Sequence, residues 1–92
     1  MTARRTDGNQ AEIVAALRAA GCKVQILSMV GKGCPDLLVC FFDQMDWITV
    51  LMEVKMPKET LTPDEIQFWS SWPGLKFIVR SAEDALRQIG KA

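Results

Sequence analysis

Histidine is absent from this chain of 92 residues. Without an imidazole, the chain has no Ser-His-Asp or Cys-His catalytic arrangement, no histidine general base and no histidine-ligated metal centre. Any catalysis must therefore depend on carboxylates, lysines or backbone groups. The length also bounds the architecture, because a chain this short forms one domain with a thin core.

Cysteine is scarce and long apolar runs are missing. The three cysteines, Cys22, Cys34 and Cys40, show no C-x-x-C spacing, which argues against a zinc site or a disulfide framework. Free thiols indicate a reducing compartment, so we expect a cytoplasmic protein. No segment has the length of a membrane span, and Arg4 and Arg5 are not followed by the apolar stretch of a secretion signal. We therefore expect no membrane partner.

Neither sign of charge is in excess, since 11 Lys and Arg residues balance 11 Asp and Glu residues. This balance argues against a protein that coats nucleic acid through a basic surface, although a local basic groove around an acidic site is compatible with it. Apolar residues make up 49% of the chain and include three Trp and four Phe. A thin core is not expected to bury them all, so we expect self-association.

Hydrophobic patterning predicts an α/β fold with the element order αβββαβα, in which a mixed four-stranded sheet is flanked by helices. Residues 1–8 are polar and are predicted to form a flexible arm, and residues 9–92 to form one domain. Asn9 and Glu12 have the spacing of a capping box, and Thr62, Pro63 and Glu65 give a stronger helix-start signal. The predicted helices are 10–20, 62–72 and 82–89, and the predicted strands are 23–30, 36–42, 47–55 and 75–79.

Asp36, Glu53 and Lys55 are the candidate catalytic residues. Side chains alternate along a strand, so Glu53 and Lys55 should share one face while Val54 points to the other. Asp36 opens the preceding strand, and in an antiparallel hairpin the start of one strand lies beside the end of the next. The two carboxylates should therefore converge as a hard oxygen site for Mg²⁺ or Mn²⁺, with the Val54 carbonyl as a further ligand. Lys55 would stabilise negative charge on a scissile phosphate or position a water.

A purely structural interpretation stays open for each of these residues. Glu53 and Lys55 could form an ordinary ion pair at the surface, worth about 0–1 kcal/mol. Asp36 could be a turn residue that follows Pro35. A glutamate and a lysine two residues apart are weak evidence by themselves, and the Pro-Asp turn one strand upstream strengthens the catalytic interpretation.

Three segments occur in a distinctive order: G-C-P-D-L-L-V at 33–39, M-E-V-K at 52–55 and L-T-P-D-E-I-Q-F-W at 61–69. Together they resemble the PD-(D/E)XK nuclease superfamily, and within it the VRR-NUC branch, whose stand-alone members occur in phages and bacteria. The resemblance spans about residues 9–80. It implies a restriction-endonuclease-like αβββαβ core, Mg²⁺-dependent (or Mn²⁺-dependent) hydrolysis of phosphodiester bonds, DNA as substrate, and dimers like those of Holliday-junction resolvases.

The resemblance also assigns roles to individual residues. Asp36 and Glu53 match the metal-binding carboxylates and Lys55 matches the catalytic lysine. Glu12 matches an acidic residue of the first helix that contributes to the metal site, and Gln67 matches a polar helix residue that faces the site. The register of Gln67 departs from the L-T/S-P-x-Q pattern by a position or two. Glu12 could instead serve only the capping box, and Gln67 could be a solvated helix residue.

Four basic residues are candidate DNA contacts. Lys32 lies on the glycine-rich turn before Asp36, and Lys58 lies on the loop after the M-E-V-K strand, where each could contact a phosphate. Arg4 and Arg5 could form an arm that binds the DNA backbone. Each could equally be an ordinary exposed residue.

These observations lead to one expected function and one alternative. A chain of this size has little surface for reading a base sequence, so we expect a structure-selective endonuclease that acts on junction, flap or branched DNA. The alternative is a catalytically silent module on the same fold that binds nucleic acid or supports assembly.

Overall fold

The computed structural model describes residues 8–92, so Arg4 and Arg5, which were predicted to contact DNA, lie outside the described residues. The element order is αβββαβα, which confirms the order predicted from the sequence. Every helix among residues 8–92 is too short or too polar to cross a bilayer. The elements are α1 (Gln10–Ala19), β1 (Lys23–Ile26), β2 (Leu37–Phe42), β3 (Trp47–Val54), α2 (Pro63–Ser71), β4 (Lys76–Val79) and α3 (Ala82–Gln88).

The four strands form one mixed sheet in the order β1-β2-β3-β4. The first three strands are an antiparallel meander, and β4 returns parallel to β3 after α2 has crossed over the sheet. The register between β2 and β3 places Leu37 beside Met52, and Phe42 beside Trp47. The predicted α/β domain with a mixed sheet flanked by helices is therefore confirmed.

The two faces of the sheet differ in how they are covered. The core face carries most of the buried side chains of β2 and β3 and packs against α1 and α3. The outer face carries the alternate residues of the same strands and lies partly under α2, which has no buried residue of its own. The core residues of the two strands are Leu37, Val39, Phe41, Val50, Met52 and Val54.

Three local predictions were wrong. The first strand ends at Ile26 rather than at residue 30, because a turn begins at Leu27, whose carbonyl accepts a hydrogen bond from the Val30 N–H. Strand β2 was predicted to be buried on both faces, yet it alternates, with Leu38 and Phe42 exposed on the outer face. The predicted Asn9 capping box does not form.

The Asn9 side chain has a different role from capping. Its Nδ2 donates hydrogen bonds to the carbonyl oxygens of Lys55 at 3.1 Å and Arg80 at 3.0 Å, and its side chain caps no N–H of α1. Lys55 and Arg80 directly follow the parallel strands β3 and β4. Asn9 therefore links the start of α1 to the ends of the two strands, a long-range interaction that a local sequence pattern does not reveal.

Helix α2 begins as predicted. The Thr62 side chain accepts a hydrogen bond from the Glu65 N–H, the Glu65 carboxylate accepts one from the Thr62 N–H, and Pro63 occupies the first turn. The turn that carries Gly33 packs directly on this helix start, where a Cβ at residue 33 would overlap the Asp64 carbonyl oxygen. Gly33 also has φ +78°, a conformation that favours glycine. The glycine-rich turn thus helps to hold α2 over the outer face.

Candidate active site

Asp36 lies immediately before β2, on the outer face of the sheet. The β2–β3 register, continued by one residue, places it beside Glu53. Its Oδ2 accepts a hydrogen bond of 2.9 Å from the Val54 N–H, which fixes the carboxylate against the end of β3. The strand pairing therefore brings the two predicted carboxylates together on one face.

Glu53 is a buried carboxyl group, only 3% exposed. Its Oε1 is buried and has no hydrogen-bond partner among residues 8–92. The pKa of Glu53 is raised to about 9, chiefly by burial, then by the charge of Asp36, a hydrogen bond with the Asp36 side chain and the charge of Glu65, against the opposing effect of Lys55. A buried carboxyl with an unsatisfied oxygen beside a second carboxylate is costly unless a cation occupies the site.

Lys55 follows β3 and is 8% exposed. Its Nζ lies 2.8 Å from Glu65 Oε1 and 3.8 Å from Glu53 Oε2. The pKa of Glu65 is lowered, because hydrogen bonds from Lys55 and Thr62 outweigh the opposing effect of burial. The ammonium group therefore lies between the carboxyl group of β3 and the first turn of α2.

Glu65 is the site residue that the sequence analysis missed. The capping box explained its presence at the start of α2, so no further role was assigned to it. The signal was available, since Glu65 occupies the glutamine position of the L-T/S-P-x-Q pattern in the segment 61–65. Its Oε1 serves both purposes, because it accepts hydrogen bonds from the Thr62 N–H and from Lys55.

Glu12 and Gln67, the two remaining predicted site residues on helices, are not in this cluster. Glu12 is exposed on α1, which packs on the opposite face of the sheet, and it is not among the groups that shift the pKa of Glu53. Gln67 is exposed and lies two residues beyond Glu65, and residues at that spacing point to different sides of a helix. Gln67 instead lines a groove of about 440 Å³ together with Lys32.

The predicted phosphate contacts and the predicted backbone ligand lie around the cluster. Lys32 is exposed on the glycine-rich turn that packs against α2, and Lys58 is exposed on the loop that directly follows Lys55. The Val54 N–H faces Asp36, so the Val54 carbonyl faces the same neighbouring strand. Continuing the register places Pro35 opposite Val54, and proline has no N–H to donate to that carbonyl.

The donor set fits one hard cation of the magnesium type. Among residues 8–92 no group of three or more His, Cys, Asp or Glu side chains is arranged to hold a metal ion. Magnesium does not require one, since it is commonly bound through one or two carboxylates while substrate phosphates and waters complete its shell. Asp36 and Glu53 supply two carboxylates, and the unsatisfied oxygen of Glu53 provides an unused ligand atom.

Comparisons with protein-family models, with curated proteins and with solved structures gave no match. The resemblance to PD-(D/E)XK nucleases therefore depends on the sequence motifs alone.

Proposed function

We propose that this chain is a magnesium-dependent endodeoxyribonuclease with a restriction-endonuclease-like core of the VRR-NUC type. The observation that carries the proposal is the pairing of Asp36 with Glu53, whose buried carboxyl has a pKa of about 9 and an oxygen with no hydrogen-bond partner in the described part of the chain. Such a carboxyl pair destabilises the fold by itself, and a bound cation would offset that cost. The order of the three sequence motifs supports the same proposal.

Different residues of the chain would have different roles in hydrolysis. Asp36 and Glu53 would hold the ion, with the Val54 carbonyl beside them. Magnesium, when bound, would polarise a phosphodiester and lower the pKa of a bound water. The Lys55 ammonium, held by Glu65, would stabilise the charge that develops on the phosphate oxygens.

The proposal also covers the kind of DNA that is cut and the oligomeric state of the protein. The compact domain favours recognition of DNA shape, so junction, flap or branched DNA is the proposed substrate. Several large apolar side chains are exposed, including Leu38, Phe42 and Trp47 on or beside the outer face. This apolar surface supports a homodimer, which would bring two active sites to one branched DNA.

The decisive experiment is a cleavage assay with junction, flap, linear duplex and single-stranded DNA in Mg²⁺, Mn²⁺ or EDTA. We expect metal-dependent cutting of branched DNA, and a loss of about 100-fold or more for Lys55→Ala and Asp36→Asn. Lys23→Ala, which changes an exposed lysine of β1, is the matched control and should cut normally. Cutting that is equal in EDTA would overturn the metal mechanism. The absence of cutting under all conditions would favour a silent binding module.

A further inference from the structure

The loop that follows β3 is organised around Arg80. One guanidinium nitrogen, Nη1, lies within hydrogen-bonding distance of three carbonyl oxygens of this loop, those of Met56 at 2.8 Å, Pro57 at 3.3 Å and Glu59 at 2.7 Å. The loop also closes on itself, because the Glu59 N–H donates to the Met56 carbonyl and the Met56 N–H donates to the Glu59 carboxylate. Residues 56–60 are therefore a preformed turn.

The orientation of the carbonyls fixes the orientation of the N–H groups. A trans peptide holds its C=O and its N–H on opposite sides, and the described residues contain no cis peptide. Since the Pro57 and Glu59 carbonyls point to Arg80, the N–H groups of Lys58 and Thr60 point away from it. Within the part of the chain that the structure describes, neither N–H donates an intramolecular hydrogen bond.

These N–H groups and one side chain form a surface for an anion. The two N–H groups are separated by that of Glu59, which donates to the Met56 carbonyl, and each of the two lies on the side of its peptide away from Arg80, where it can donate to an anion. Lys58 is exposed and adds a full positive charge to the same turn. The one acidic side chain of the turn, Glu59, is engaged by the Met56 N–H.

We propose that the 56–60 turn is a phosphate-binding site, in which the Lys58 side chain and the N–H groups of Lys58 and Thr60 hold a backbone phosphate of the nucleic acid. Arg80 is the positioning residue, because it orients the carbonyls away from the ligand. The choice of a nucleic-acid phosphate rests on the proposed function. The turn begins one residue after Lys55, so the phosphate bound there would be close to the scissile one.

The first test measures DNA binding in EDTA as a function of salt. Each phosphate contact contributes about one unit to the slope of log K against log salt, so Lys58→Ala should reduce the slope by about one. Between roughly 50 and 200 mM salt, the affinity of Lys58→Ala should therefore fall by about three- to fourfold less than the affinity of the wild type. Arg80→Ala should reduce the slope by a similar amount. The double variant should bind DNA no more weakly than Arg80→Ala alone.

Controls separate binding from folding. Lys58→Ala changes an exposed side chain, Arg80→Lys keeps a cation near the carbonyls, and the melting temperature of each variant is measured beside its affinity. Lys23→Ala, on β1, should leave the slope unchanged. An unchanged slope in Lys58→Ala, or fully additive losses from Lys58→Ala and Arg80→Ala, would overturn the site even where Mg²⁺-dependent cutting persists.

The second test follows the backbone amides directly. In ¹H–¹⁵N spectra we expect the Lys58 and Thr60 resonances of the wild-type chain to shift when branched DNA is added. Inorganic phosphate is the other probe. If it shifts the same resonances while no DNA is cut or bound, the phosphate site stands and the nuclease proposal fails. If neither probe moves these resonances, the phosphate site is overturned.

Discussion

Lys55 Nζ lies 2.8 Å from Glu65 Oε1, closer than to Glu53 Oε2 at 3.8 Å. The lysine that follows β3 is thus held by the first turn of α2, the crossover helix. Helix α2 has no buried residue, so this ion pair and the contact with Gly33 are specific links between the helix and the outer face. Glu65, which completes the capping box of α2, and Lys55, the proposed catalytic lysine, are therefore joined in one hydrogen-bonded network.

Replacement of Glu65 should separate its two roles. Gln also completes a capping box, so Glu65→Gln should leave the fold intact while it removes the charge that holds Lys55. We expect kcat for DNA cleavage to fall about ten- to a hundredfold with KM little changed. Thr62→Ala is the matched control, since it should cost about 1 kcal/mol of stability through the lost cap yet keep the Lys55 contact. Equal kcat in wild type and Glu65→Gln would contradict the role of Glu65.

The raised pKa of Glu53 gives the fold a distinct pH dependence in EDTA. The unfolded chain ionises Glu53 from pH 4.5 upward, whereas the folded chain keeps it protonated up to about pH 9. The folded state binds more protons over this interval, so this residue's contribution to stability falls as the pH rises through it. Glu53→Gln should stabilise the metal-free protein near neutral pH by an amount on the order of 2 kcal/mol.

Denaturant unfolding in EDTA at several pH values measures this effect. Between pH 5 and pH 8 the free energy of unfolding of the wild type should decline more steeply than that of Glu53→Gln. Parallel curves would show that the folded state does not hold the Glu53 proton.

Magnesium should stabilise the folded chain through Asp36 and Glu53. A ligand that binds only the folded state adds about 1.4 kcal/mol at a concentration ten times its Kd. We therefore expect Mg²⁺ to raise the melting temperature of the wild type and not that of Asp36→Asn. Glu12→Gln tests the helix acid, which lies on α1 away from the carboxyl pair, and should keep the full Mg²⁺ shift. Loss of the shift in Glu12→Gln would restore Glu12 as a ligand.

A methyl group at residue 33 should move α2. In Gly33→Ala the new Cβ overlaps the Asp64 backbone and the residue keeps φ +78°, so a destabilisation of about 2–4 kcal/mol is expected. Gly31→Ala is the control, because its φ of +80° carries similar strain but its Cβ meets no atom within 4 Å. Gly31→Ala should cost only about 1 kcal/mol.

Equilibrium unfolding and cleavage measured side by side test the role of Gly33. If Gly33→Ala were as stable as Gly31→Ala, the contact between the glycine-rich turn and α2 would not support the fold. If Gly33→Ala also lost activity beyond its loss of stability, the displacement of Glu65 from Lys55 would be the physical cause.

The amino-acid sequence determined the element order and the pairing of the proposed catalytic residues, because both follow from short-range rules. Alternation along β3 places Glu53 and Lys55 on one face, and a short hairpin brings Asp36 beside them. The Thr62–Glu65 capping box was equally predictable from the sequence, since all of its atoms lie within one turn of helix.

Tertiary packing determined the long-range contacts, which short-range sequence rules do not predict. Asn9 bonds to Lys55 and Arg80, residues 46 and 71 positions away, and so gives up the helix cap that its local sequence predicts. Glu65 meets Lys55 only because the crossover of α2 and the close packing at Gly33 bring the helix start over the end of β3. Contacts between residues so distant in sequence depend on how helices pack on a sheet, and hydrophobic periodicity specifies the faces of these elements without specifying their relative positions.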